Sequence, residues 1–306
     1  MDAFHHVALK YAGPDEFVSE VSAFLRAGIE AGEPAMVMLA PEKIESLRSA
    51  LGDGADHVRF VDMTAVGRNP AWIIPAWREF ARENAGGAMR GVGEPIWAAR
   101  SAHELVECQR HESLLNYAFA DAEGFRLLCP YDTAALDADV IAEAERSHPR
   151  IAENGIERYS ENYRGGAESA APSSEPLPEP QTVVHGLPFN AEMVDAVRRA
   201  VDRHAIRVGL DDARREDLVL AVNEIATNSV RHGGGYGRLR LWAEDDTLVC
   251  EIRDRGRIDA PLAGRVRPQP GQPGGYGLWL AHQVCDLVQV RALPEGGVVR
   301  LHMRRG

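Results

Sequence analysis

The sequence has little that would anchor, staple or coat it. No apolar run approaches the ~20 residues of a membrane span, and the opening MDAFHHVALKY lacks the basic-then-apolar order of an export signal. Four cysteines, at 108, 129, 250 and 285, show no CxxC spacing, which points to reduced thiols rather than a disulfide framework. Basic charge is short. The 34 Lys and Arg face 46 Asp and Glu, for a net charge of −12, and a general nucleic-acid binder would instead carry a basic face. Lysine is nearly missing, with only Lys10 and Lys43 beside 32 arginines. The expectation is a soluble, cytoplasmic protein with no membrane contact and no direct nucleic-acid contact. What is present, 45% hydrophobic and 26% charged residues over 306 positions, excludes wholesale disorder. That length suits about two domains of the usual ~100–200 residues.

The sharpest change in composition is residues 165–181, GGAESAAPSSEPLPEPQ. Four prolines, small residues and acids, with Leu177 as the one large apolar side chain, read as a semi-extended linker. This predicts domains over 1–164 and 182–306. Charge divides at the same place. Residues 1–181 carry 16 basic and 30 acidic side chains, a charge of −14, whereas residues 182–306 carry 18 and 16, a charge of +2.

The first half alternates two periodicities. Short apolar runs at 7–11, 35–40, 58–63, 89–92 and 125–129 have strand length, and longer amphipathic stretches lie between them. Phe17, Val21, Phe24 and Leu25 share one helical face, and Leu105, Cys108, Leu114, Leu115 and Ala118 suggest another. The alternation predicts an α/β fold with a mostly parallel sheet covered by helices. Ligands of such sheets sit beyond the carboxyl ends of the strands, here near Asp62, Gly93–Glu94 and Tyr131–Asp132. The second half reads as two helices, a hairpin, an irregular stretch, a helix and a second hairpin. That order predicts an α+β sandwich of antiparallel sheet and helices, with Ile206 among the apolar positions of the first helix.

Glu224, Asn228 and His232 recur every fourth residue in LVLAVNEIATNSVRHGG, which puts them on one helical face. An amide oxygen beside a carboxylate suits magnesium, and the carboxylate can deprotonate a hydroxyl. Alone, such a stripe is more often a solvated helix face. Asp254-Arg255-Gly256 follows a predicted strand; a carboxylate there can accept from an exocyclic amine, and it can equally be a simple turn. Gly274-Gly275-Tyr276-Gly277-Leu278 opens the next helix, where backbone N–H groups can meet phosphate. The stretch before it, Arg265–Pro273, reads as a lid, with Arg265 and Arg267 either phosphate contacts or part of a solvated loop.

In order and spacing these motifs resemble the GHKL (Bergerat) ATPase fold. VNEIATNSVRHGG and GGYGLWL resemble its anti-sigma-factor serine kinases over roughly residues 185–306. That resemblance implies ATP and Mg2+ as cofactors, with Asn228 holding magnesium and Glu224 as general base. Asp254 would read adenine beside Gly256; Gly274, Gly275 and Gly277 would frame the phosphates, with His232 and Leu278 completing the cofactor-binding set. It also implies a sigma factor and an anti-anti-sigma (STAS-type) protein as partners, and a possible homodimer. One departure is Ile258, where the family often has the second glycine of DxGxG.

Residues 4–150 resemble the MEDS (DcmR-type) sensory domain, through HHVALKY, GEPAMVMLAP, DMTAVGRNPAWIIPAWREF, RGVGEPIWAAR, ECQRHESLLNYAF and LLCPYD. The resemblance implies a RecA-like fold, here without a P-loop, since no GxxxxGK[ST] follows the first predicted strands. Arg68, Asn69, Arg90, Glu94 and Trp97 suggest a site for a small organic or anionic ligand, or a structural hydrogen-bond network. His5-His6, Cys108, His111-Glu112 and His148 supply metal-type donors, although core histidines and cysteines are common. His111 before Glu112 also admits a sensor histidine kinase. The leading expectation is a signal-responsive anti-sigma regulator and serine kinase; the third reading is a nucleotide-gated binding module with vestigial transfer.

Overall fold

A computed structural model describes residues 4–165, 167–269 and 274–305. The chain falls into two compact units, Met1–Ala170 and Ala171–Gly306. The first contains β1 (His5–Tyr11), α1 (Pro14–Glu30), β2 (Ala35–Leu39), α2 (Pro41–Leu51), β3 (Val58–Asp62), α3 (Met63–Val66) and α4 (Ile73–Glu83). It continues with β4 (Met89–Gly93), α5 (Ala102–Ala118), β5 (Phe125–Asp132), α6 (Ala138–Ser147), β6 (Arg150–Glu153), β7 (Ile156–Tyr159) and α7 (Ala167–Ala170).

Its sheet runs β3-β2-β4-β5-β1-β6-β7, parallel through β6 and closed by antiparallel β7. The central strands are buried on both faces, as a parallel sheet between helices requires; β2, AMVML, is buried at every position. On one face Val7, Leu9, Val37 and Leu39 pack with Phe17, Val21 and Leu25 of α1 and Leu47 of α2. On the other, Trp77 of α4 lies so close to the sheet that a Cβ at Gly91 would fall 2.9 Å from its ring. That contact is why β4 reads RGVG rather than a branched apolar run. The hairpin β6–β7 has no apolar pattern, since all four residues of β7 are exposed, and it was not anticipated. In α5 the anticipated apolar face is corrected: Cys108, Leu114 and Leu115 are buried, but so are Glu104, Glu107, His111 and Glu112.

The second unit contains β8 (His185–Phe189), α8 (Val194–Val208), α9 (Asp212–His232), β9 (Gly237–Glu244), β10 (Thr247–Asp254), α10 (Tyr276–Val284), β11 (Leu287–Leu293) and β12 (Gly296–Arg304). The sheet is antiparallel, in the order β11-β12-β10-β9-β8. Alternate residues face inward: Leu239 and Leu241, Cys250 and Ile252, and Leu301 and Met303 pack with Val201, Leu218, Val222 and Ile225 from α8 and α9. Edge strand β8, HGLPF, was missed because proline and glycine break its pattern. Ile206, expected on the inner stripe of α8, is 56% exposed.

The outer sheet face carries charge. Glu251 is fully buried there and accepts from Arg240 (2.8 Å), Arg253 (2.7 Å) and Arg300 (2.7 Å). Part of the expected linker belongs to this face. The Ser173 carbonyl accepts from Ala292 N–H at 2.9 Å, the Pro178 carbonyl accepts from Arg300 at 2.9 Å, and Glu179 pairs with Arg240 and Arg253. Residues 173–179 therefore cross β11, β12, β10 and β9 as a strap, with Leu177 buried. The segment 165–181 was expected only to connect; from Ser173 it is built into the second unit.

Candidate functional site

Helix α9 begins at an Asp211 cap, whose carboxylate accepts from Arg214 N–H at 2.9 Å, and runs to His232. Leu218, Ala221, Val222, Ile225 and Ala226 bury one face. This leaves Glu224 and Asn228 half-buried along the border and His232 exposed at the last turn. Ser229, next to Asn228, is fully buried and donates to Asp254 Oδ2 at 2.5 Å.

Asp254 ends β10, where its other oxygen accepts from Gly256 N–H at 2.7 Å. Three glycines crowd this carboxylate. A Cβ at Gly233 would fall 2.5 Å from Asp254 Cγ, one at Gly256 2.9 Å from Oδ1 and one at Gly297 3.4 Å from Oδ1. Gly296, at φ 145, passes so close that a Cβ would meet the Asp254 carbonyl at 1.9 Å. The carboxylate is thus oriented by a hydroxyl and a backbone amide while its surroundings stay open. A cavity of about 260 Å³ adjoins it, lined by Asn228, His232, Asp254, Gly256, Ile258, Gly274, Gly275 and Leu278. Ile258 supplies an apolar wall and packs against the core beneath.

Helix α10 starts from Gly275, whose φ of 88 belongs to the left-handed region that glycine enters freely. The turn sets the start of α10 against α9. A Cβ at Gly277 would stand 2.8 Å from Asn228 Nδ2 and 3.2 Å from Glu224 Oε2, so a side chain there would push the helix away from both groups. The structure thus brings Glu224, Asn228, His232, Asp254, Gly256, Gly274, Gly275, Gly277 and Leu278 around one region; Ser229, Gly233 and Gly297 were missed. Of the segment read as a lid, Arg265 is buried, Arg267 lies 5.6 Å from the Trp279 ring, and residues 270–273 fall outside the described residues.

Each residue suggested for sensing in the first unit has neighbours within the fold. Arg90, near the start of β4, is held by Glu33 and the Phe24 carbonyl and stacks on Phe24 at 4.8 Å. Glu94, just past the end of the same strand, accepts from Lys43 (2.6 Å) and Tyr11 (2.9 Å). Burial pushes the Glu94 carboxyl above its ordinary range, and Lys43 opposes that. Lys43, one of the two lysines, was not singled out. Asn69 caps the turn at Ala71, Arg68 lies over Trp72 at 5.3 Å, and Trp97 carries the Arg100 guanidinium at 3.7 Å. His111 is 1% exposed inside α5, so it is not a surface phosphoacceptor in this fold.

Comparison with known proteins matches both units. Residues 5–149 match the family described as MEDS, the MEthanogen/methylotroph, DcmR Sensory domain. Residues 187–303 match the histidine kinase-like ATPase domain. Over 133 residues, 40% of this chain and 81% of the relative, the sequence is 31% identical to the serine-protein kinase RsbW of Halalkalibacterium halodurans. Among solved structures it is similar to the RsbU and RsbW domains of a Mycobacterium tuberculosis protein. That match has 18% identity and a TM-score of 0.31, and it covers 40% of this chain and 32% of that one. Among the described residues no helix is long and apolar enough to cross a membrane.

Proposed function

Since the chain belongs to the RsbW-like branch of the histidine kinase-like ATPases through residues 187–303, and to the MEDS sensory family through residues 5–149, we propose that it is a signal-responsive anti-sigma regulator. In this reading the second unit binds ATP–Mg and phosphorylates a serine on an anti-anti-sigma (STAS-type) partner, releasing or retaining a sigma factor in the cytoplasm. The observation that carries it is the Asp254 carboxylate, fixed by Ser229 and Gly256 beside a cavity that α9 and the α10 glycines share. Its volume of about 260 Å³ suits one end of a nucleotide rather than the whole, below the ~300–1,000 Å³ of complete small-ligand pockets.

Each residue has work that its surroundings support. Asp254 accepts from the adenine amino group, and Ile258 packs against the base. Gly274, Gly275 and the α10 N-terminus present N–H groups to phosphate. The Asn228 amide oxygen and the Glu224 carboxylate are the hard oxygen donors a magnesium–phosphate group favours, so that pair fits the ion. Magnesium, when bound, neutralises charge on the phosphates, and Asn228 is the residue to hold it. Glu224 accepts the proton of the attacking serine hydroxyl. Phosphoryl transfer depends chiefly on such positioning and charge neutralisation.

The deciding experiment is transfer from labelled ATP to a purified anti-anti-sigma partner by the full chain and by Asn228→Ala. The variant should lose transfer by about 100-fold or more, and the wild-type product should be acid-stable phosphoserine. Unchanged transfer in Asn228→Ala would remove this site assignment, and acid-labile phosphate would favour a histidine kinase. Ile258 in the cavity wall favours one second reading, a nucleotide-gated binding module; it predicts partner capture with ATP but no transfer.

A further inference from the structure

Away from the nucleotide region, four buried side chains of the first unit converge. His6 on β1 and Cys129 on β5 leave the same sheet face, since the parallel register sets Leu127 beside His6 and Cys129 beside Ala8. Glu112 descends from α5, and His148 follows α6 just before β6. Their exposures are 1%, 2%, 1% and 0% in that order. Glu112 Oε2 lies 3.2 Å from His6 Nε2 and 3.3 Å from His148 Nε2, and Cys129 Sγ lies 3.3 Å from His6 Nε2. The four donor atoms all fall within 4.8 Å of one another.

The neighbouring carbonyls and amide fix which ring nitrogens carry lone pairs. The His148 Nδ1 sits 2.8 Å from the Ala144 carbonyl, which can only accept, so the proton is on Nδ1. The Asn116 amide donates to the Ser147 carbonyl at 2.7 Å, which leaves its Oδ1 to accept from His6 Nδ1 at 3.1 Å. A neutral ring at either position therefore turns an Nε2 lone pair toward the same carboxylate oxygen. Glu112 Oε1 and His148 Nε2 have no hydrogen-bond partner. Electron-pair donors packed against one another away from water repel unless something positive sits between them. A backbone carbonyl or side-chain amide on the far nitrogen is also how metal-binding imidazoles are commonly oriented.

We propose that His6, Glu112, Cys129 and His148 bind a divalent metal ion of the zinc class. Hard cations such as magnesium and calcium favour all-oxygen sites, whereas a thiolate with two imidazoles selects zinc or its borderline neighbours. Bonds of about 2.0–2.3 Å place tetrahedral ligands roughly 3.3–3.8 Å apart, the scale of the spacings here. On binding, the Cys129 thiol gives its proton to solvent and the sulfur becomes a thiolate ligand. Four protein ligands close the shell, so the ion joins β1, β5, α5 and the turn between α6 and β6 rather than exposing a position for catalysis. The site makes the first unit responsive to metal, whatever else it senses.

The test uses the tag-free full chain, stripped of metal and titrated with Co2+. One equivalent should produce a thiolate-to-cobalt charge-transfer band in the near ultraviolet together with visible bands of tetrahedral strength, and Zn2+ should abolish both. Cys129→Ser should lose the near-ultraviolet band, and Glu112→Gln should weaken binding at least about tenfold. Cys108→Ser, which alters a buried thiol outside the four, should keep both signals. A folded wild-type chain that gives no thiolate band with one equivalent of Co2+ overturns the site. A band lost in Cys108→Ser but kept in Cys129→Ser does the same. The wild-type titration decides even where a variant fails to fold.

Discussion

Asp254 shows how little of a site one residue can explain. DxG on its own allowed a turn. Its chemistry comes from Ser229, which meets one oxygen at 2.5 Å, and from Gly256 N–H, which meets the other at 2.7 Å. A charge-assisted hydrogen bond is worth about 1.5–3 kcal/mol. Asp254→Ala should therefore weaken ATP binding by about 10- to 150-fold, and it should also erase discrimination between ATP and GTP, measured by calorimetric titration. Ser229→Ala should cost less, about tenfold, and leave discrimination partly intact. Equal affinity of Asp254→Ala for both nucleotides without any loss for ATP would take the base-reading role away. The site residues carried in contiguous motifs were legible because glycine and carboxylate spacing is local. Ser229, Gly233, Gly297, Lys43 and Cys129 were not, because each acquires meaning only from a partner distant in sequence.

At the scale of elements, strands buried on both faces announced themselves as apolar runs, and β1 to β5 lie close to where those runs predicted. Strands β7 and β8 were invisible because exposed edges need no such run, and β6 because only Ile151 of its four residues is buried. The outer face of the second sheet was also hidden, since alternation marks a polar face as solvent and this one buries Glu251 among three arginines. Burial pushes the Glu251 carboxyl up, but Arg253 and Arg300 outweigh it and hold the group below its ordinary range. A depressed carboxyl contributes stability that is full above its unfolded value, near 4.3, and is lost as pH falls through the folded one. Glu251→Gln should therefore cost about 3 kcal/mol at neutral pH, the scale for breaking a buried pair. In thermal melts the deficit should stay constant down to about pH 4.5 and shrink below it. A deficit that grows with acidification would show that Glu251 is not held ionised in the fold.

For the molecule as a whole, the composition shift at 165–181 suggests a spacer, yet residues 173–179 lie across the second sheet. Proline-rich sequence cannot build a core, yet it can lie extended across one, because it has few N–H groups to satisfy and little backbone freedom to lose. Contacts divide the chain after Ala170, and the strap contributes the Pro178 carbonyl to Arg300 and Glu179 to Arg240 and Arg253. We propose that the functional boundary of the second unit lies before the strap rather than after it. A fragment of residues 171–306 should then melt higher than one of residues 182–306. Ordering a strap costs about 1–2 kcal/mol per residue, so its contacts must exceed that cost for it to hold its course over four strands. The shorter fragment also leaves Arg300, 1% exposed in the full chain, without the Pro178 carbonyl. A net surplus of about 1 kcal/mol corresponds to roughly 3–6 °C in a unit of this size, read by circular dichroism or calorimetry. The same comparison at low pH should narrow the gap as Glu179 protonates, because Arg240 and Arg253 hold that carboxyl below its ordinary range. Equal melting temperatures for the two fragments at neutral pH would return the strap to the role of linker.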